Sequence, residues 1–213
     1  LGHSLSNDRN DSLFSAIKKD YTCKMNCCLG DFQNISSDVL HNLCSTYCES
    51  FYGVHICNFE HMEVLFVEWR KAMRRVWRVP PQTHCSLIPH IAQCLPIDIV
   101  LYKRFINFVI AGLNCPNETV SYFFRMAMHS QTRMGNNLRL VLDKAGLSIN
   151  HMYYYSRADI VKLLTSSWFL SCDTKDIRTG SQIRDLIEKR DSLDKWVLSR
   201  SQCIDIINVL CTE

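Results

Sequence analysis

The stretch Trp69-Arg70-Lys71-Ala72-Met73-Arg74-Arg75-Val76-Trp77-Arg78, closed by Pro80-Pro81-Gln82-Thr83-His84, decides how the rest of the chain is read. Projected at about 100° per residue, Met62, Leu65, Phe66, Trp69, Ala72, Met73, Val76 and Trp77 share one sector, and Arg70, Lys71, Arg74, Arg75 and Arg78 share the opposite one. That is the period of an amphipathic helix with one face to bury. Pro80 and Pro81 lack the amide donor a helix needs, and proline disfavours the α conformation in the residue before it. The helix is therefore expected to end near Arg78 or Val79, with Trp69 and Trp77 as its buried anchors.

The cationic face has two physical readings. Positive charge near a helix C-terminus complements the macrodipole, and Glu60, Glu63 and Glu68 lie toward the other end, so the face suits solvation and helix stability. Against this, no acidic residue falls between Glu68 and Asp98, and arginine outnumbers lysine in the cluster. Arginine offers a planar fork of donors that matches phosphate, a preference that solubility alone does not demand.

Working outward, the same helical period recurs. Phe14, Ile17, Tyr21, Met25 and Cys28 give a first helix begun by Asn10 or Asp11 and broken at Gly30-Asp31. Leu40, Leu43, Cys44, Tyr47 and Phe51 give a second, started by Ser36 or Ser37, and the short polar loop between them predicts antiparallel packing. After the cationic helix, Thr83 caps a short segment carrying Leu87, Ile88 and Ile91. A longer helix follows Pro96 on Ile97, Val100, Leu101, Phe105, Phe108 and Val109, where Arg104 either extends the basic surface or pairs with Asp98. Residues 118–128 predict a helix on Val120, Phe123, Phe124 and Ala127, and Gly135-Asn136-Asn137 introduces another from Leu138 to Ala145. Tyr153-Tyr154-Tyr155 reads first as loop aromatics packed on their own domain, with base stacking as the alternative. Ile160 to Leu164, Trp168 to Leu170, and a last helix behind Ser199 complete an all-α reading, an irregular multi-helix assembly without alternation of strand type.

Composition narrows the function classes. Of 213 residues 47% are hydrophobic, enough for a core, and the formal net charge of +3 with a pI near 8.3 confines any nucleic-acid affinity to local patches. No apolar run reaches the ~20 residues of a membrane span. The 12 cysteines show no framework spacing. A metal set from His41, Cys44, Cys48, His55 and Cys57 exists on paper, but Cys44 lies in an apolar stripe, where cysteine serves as a small core residue, so no metal is expected. His84 and His90 lack a nucleophile and an orienting carboxylate nearby in sequence; no catalytic residue is expected.

Several segments carry a resemblance. Ser37-Asp38-Val39-Leu40, Tyr47-Cys48-Glu49-Ser50-Phe51-Tyr52-Gly53, Trp69-Arg70-Lys71 through Trp77, then Pro80 and Thr83-His84 match in order and spacing the region that follows the polymerase core in jockey-like, LINE-type retrotransposon reverse transcriptases. Leu1-Gly2-His3 resembles the turn from palm to thumb. Ile183-Arg184-Asp185-Leu186-Ile187 and Ile206-Ile207-Asn208-Val209-Leu210 resemble the end of such a reading frame. Departures are Cys57, where relatives carry an aromatic, and Val79-Pro80-Pro81, where they read Leu-Pro-Tyr.

The resemblance implies thumb-like helices over 1–57, a basic central helix and connector over 58–130, and a helical C-terminal region over 131–213. It implies contact with an upstream palm and with RNA or an RNA/DNA template-primer through Arg70, Lys71, Arg74, Arg75, Arg78 and Arg104. The paired palm aspartates that hold Mg2+ for nucleotidyl transfer are not in this sequence, so the chain alone is not expected to polymerise and needs no cofactor of its own. A start without methionine suits a carboxyl-terminal piece, and the expected location is intracellular, in cytoplasm and nucleus. The alternative is a structural helical domain for self-association or protein partners, from a decayed copy of such an element.

Overall fold

The computed structural model describes residues 12–171, apart from 52, 55, 56, 84 and 86. Among the described residues all regular structure is helical: α1 (Ser12–Asp31), α2 (Ser37–Cys48), α3 (Glu63–Val76), α4 (Leu87–Ala92), α5 (Ile97–Leu113), α6 (Glu118–His129), α7 (Arg133–Lys144) and α8 (Arg157–Ser171). Single turns of 3-10 helix at Phe59–His61 and Ile149–Tyr153 enter α3 and α8. The all-α expectation holds. The sequence features placed at 1–11, and those beyond Ser171, including Ile183 to Ile187 and the helix behind Ser199, lie outside the described residues.

α1 and α2 run antiparallel, because Cys28 late in α1 meets Cys48, while Tyr21 about two turns earlier packs its ring, tilted by 39°, against Phe51 beyond α2. α3 lies along α1 in the same direction, as the pairs Lys18 with Glu68 and Asn26 with Arg75 show. It also touches α2, α4 and α5. α5 passes the core on to α6 and α8, and α7 closes the far side against both. One cluster of buried side chains runs without a break from Phe14 to Leu164.

The central helix buries the sector its sequence assigns. Leu65, Trp69, Ala72, Met73 and Val76 are all buried, and Trp69 is 1% exposed with its indole N–H donating to Glu49 Oε1 at 3.0 Å. Trp77 differs from expectation. It is only partly buried, since it caps the helix instead of belonging to it. The helix stops before the prolines through its own backbone: Val79 N–H reaches Arg74 O at 3.0 Å and Arg78 N–H reaches Arg75 O at 3.2 Å, the paired bonds of a Schellman motif. Arg78 takes the left-handed position at φ 53°, where a side chain costs roughly 1 kcal/mol.

Two other elements depart from the sequence reading. α7 starts at Arg133, two residues before Gly135 and five before the expected Leu138, with Thr132 Oγ1 accepting from Gly135 N at 3.3 Å. Gly135 belongs inside the first turn because a Cβ there would stand 2.3 Å from Ser130 O and 2.7 Å from Ala127 O. α6 turns a different face inward: Phe124 lies on Gly112 of α5 and Met128 is buried, whereas Phe123 is 65% exposed. A Cβ at Gly112 would meet the Phe124 ring at 2.3 Å, so the missing side chain is what lets the ring seat there.

Trp69→Ala removes the largest fully buried side chain of the core together with its bond to Glu49. A loss of ~3–5 kcal/mol in urea unfolding is expected, and a loss below ~1 kcal/mol would show that α3 does not bury this face.

Candidate nucleic-acid interface

The six basic side chains singled out from the sequence fall into two groups once their partners are known. Arg70 and Lys71 are neutralised. Arg70 is ion-paired with Glu63 and lies 4.2 Å over the Phe66 ring, a cation–π contact that leaves it largely covered. Lys71 sits 3.1 Å from Glu68, which Lys18 also approaches at 3.5 Å. Burial pushes the Glu68 carboxyl up, but Lys71 and Lys18 together hold it below the usual carboxylate range.

Arg74, Arg75 and Arg78 bond to neutral acceptors. Arg74, half-buried, donates from Nε and Nη2 to Thr83 O at 3.1 and 2.8 Å and tethers the proline turn to the helix. Arg75 donates to Asn26 Oδ1 on α1 at 2.7 Å. Arg78 donates to the carbonyls of Gln33 and Ile35 in the α1–α2 loop at 2.7 and 3.3 Å. A carbonyl orients a guanidinium without cancelling its charge, and each fork has five donors, so donors remain free at Arg75 and Arg78, both exposed. Such fixed forks suit phosphate oxygens, having lost part of their rotamer freedom before any ligand arrives.

Arg104 stands apart. From α5 it donates to Glu49 O at 2.7 Å, at the C-terminal end of α2, and its guanidinium lies 6.0 Å over Phe51. Pairing with Asp98 does not occur, because six residues along a helix leave the two side chains about 120° apart around its axis. The Asp98 carboxyl is pushed up by burial instead.

In the aromatic triplet Tyr153 and Tyr155 pack on His129 and His151 of the same chain, as expected, while Tyr154 is 85% exposed. Tyr153 stacks on His129 of α6 and bonds to its Nε2 at 3.1 Å, and earlier on α6 Tyr122, Phe123 and Met126 are exposed. His90 is buried against Trp168, in keeping with a structural role. Of the paper metal set, Cys44 and Cys48 do come together, joined by Cys28 and not by His41 or Cys57; His55 is outside the described residues. Cys28 was beyond the reach of spacing rules, since it lies on the preceding helix.

No family model, curated protein or solved structure matches this chain. Among the described residues no helix is long and apolar enough to cross a membrane.

Glu49 links the basic surface to the core. Burial pushes its carboxyl from 4.5 up to about 7, although the Trp69 bond and Arg104 both favour the charged form. The folded chain therefore holds a proton that the unfolded chain releases between pH 4.5 and about 7. This contribution to stability is fully present below pH 4.5, declines through that window and is flat above it. Glu49→Gln keeps an acceptor for Trp69 and removes the dependence. At about pH 8 the variant should be the more stable by up to ~3 kcal/mol, and near pH 4 the two should match, measured by urea unfolding.

Proposed function

We propose that this chain is the non-catalytic carboxyl-terminal part of a retrotransposon RNA-directed DNA polymerase, where it grips template-primer or element RNA by the phosphate backbone. The observation that supports this reading is the set of guanidiniums at the end of α3, held by neutral oxygens of Thr83, Asn26, Gln33 and Ile35 with their charge uncancelled. A face built only for solubility gains nothing from such anchoring, whereas a phosphate site gains pre-ordered donors. Contacts of this kind position a duplex without reading its bases. The proposal keeps the palm, its aspartates and their Mg2+ on another part of the polymerase, so the chain's share of the work is binding.

Arg75 and Arg78 carry the test, because Arg74 is partly buried and its loss would disturb the fold. In the Arg75→Gln, Arg78→Gln pair each glutamine retains an amide with two N–H donors and drops the charge. Affinity for a primer-template hybrid, followed by fluorescence anisotropy across a salt series, should fall for all sequences alike. The magnitude of the log-log salt slope should drop by up to ~1.8, about 0.9 for each lost phosphate contact. Equal affinities and slopes for two folded proteins would remove the proposal.

A second reading, self-association, is favoured by the outer face of α6, where Tyr122, Phe123 and Met126 are all more than half exposed. Such a ridge is unusual on a surface that meets only water. If two copies pair through it, Tyr122→Ser with Phe123→Ser should convert a dimer to a monomer in sedimentation equilibrium. A wild-type chain that is monomeric at every concentration excludes this reading.

A further inference from the structure

Three thiols from two helices meet between α1 and α2. Cys44 and Cys48 stand one turn apart on α2, Cys28 faces them from α1, and all three sulfurs lie within 4.8 Å of one another. Cys28 Sγ is 3.8 Å from Cys48 Sγ. Cys44 and Cys48 are sealed from solvent, whereas Cys28 is half-buried and opens the group on one side. We infer that Cys28, Cys44 and Cys48 form a binding site for one thiophilic divalent cation of the zinc and cadmium class, which clamps α1 to α2. This goes beyond the nucleic-acid reading and does not depend on it.

The spacing carries the inference. Sulfurs at about 2.3 Å from a tetrahedral zinc lie ~3.8 Å from each other. One pair already has that separation, and no gap in the group exceeds it by more than about 1 Å, a shift within reach of small side-chain rotations. The ligand type selects the cation. With sulfur alone in the group, hard cations such as magnesium and calcium find none of the oxygens they need. Charge selects further: three thiolates around a monovalent ion leave two buried negative charges, around a divalent ion only one. Zinc completes four-coordination with a water or an added ligand through the open Cys28 side.

Buried cysteines also serve as plain core residues, and Cys57 does so, its thiol directed at Gly53 O and apart from the group. What distinguishes the three is their convergence from two helices, with every sulfur within 4.8 Å of the other two. In the binding step three S–H bonds break, three metal–sulfur bonds form, three protons leave to solvent, and no electron is transferred.

The test uses the full reduced chain, kept free of oxygen with a phosphine reductant, and titrates it with cadmium while following the sulfur-to-metal charge-transfer absorbance. One equivalent should bind per chain with release of about three protons in weak buffer, and zinc should displace it. Cys28→Ser and Cys44→Ala should each lower the affinity at least ~100-fold, while helical circular dichroism reports that the variants are folded. Should Cys44→Ala fail to fold, Cys28→Ser decides, since its site is only half-buried. The exposed pair Cys23 and Cys27 on α1 is the competing surface site. Retention of the stoichiometry and proton release in Cys23→Ser with Cys27→Ser supports the proposal. Loss of both in that pair, unchanged binding by Cys28→Ser, or no one-to-one binding by the wild type overturns it.

Discussion

The hydrogen bond from the Trp69 indole to Glu49, set inside the packing of α3, is the constraint on which the other contacts of this fold depend. Trp69 is the largest fully buried side chain among the described residues, and its polar N–H has to find an acceptor there. The acceptor comes from the residue that ends α2, so filling the core and fixing the end of the α1–α2 hairpin are one event. Arg104 then reaches the carbonyl of the same residue from α5. Three helices are thus referred to a single position in the chain, where the Trp69 bond and the Arg104 charge offset only part of the burial that pushes the Glu49 carboxyl up.

Around this centre the arginines act first as joints. Arg74 secures the proline turn, Arg75 secures α1 and Arg78 secures the α1–α2 loop. Lysine at Arg74 would carry the same charge but could not direct two donors in one plane at the Thr83 carbonyl. The preference for arginine in the sequence therefore has an internal cause as well as the external one proposed. The two are compatible, because hydrogen bonding to a carbonyl leaves the positive charge in place. Arg78 shows the coupling most clearly: its backbone accepts a left-handed conformation that ends α3, and its side chain uses that position to hold the loop.

Much of the helical architecture was legible in the sequence, since residues such as Phe14, Tyr21, Met25, Leu65, Met73 and Phe105 repeat with the period of a helix and all became core. What spacing could not convey were contacts made by single residues across long separations. Asn137 reads as a loop residue beside a glycine, yet it is buried in α7. Phe123 and Phe124 are neighbours of equal hydrophobicity, and only the missing side chain of Gly112, on another helix, decides which one turns inward. For the candidate site, the residues of the basic face were visible as a set. Their division into neutralised and uncancelled charges was not, because Asn26, Gln33 and Ile35 belong to α1 and the loop after it. Cys28 was hidden in the same way.

Asn137 has a consequence for how the chain reaches this state. Its amide donates to Cys57 O at 2.7 Å and its carbonyl accepts from Phe59 N at 3.0 Å, so one side chain takes the place of a neighbouring strand for a buried piece of main chain. The partners are about eighty residues apart in sequence. As a polypeptide emerges from a ribosome, the segment around Cys57 is made long before α7 exists to satisfy it. Hairpin α1–α2 and helix α3 can assemble early from nearby contacts, but the turn that joins them must wait, hydrated, for residues made several seconds later. Sealing this turn therefore requires a closure across about eighty residues, whereas the contacts within the α1–α2 hairpin are local.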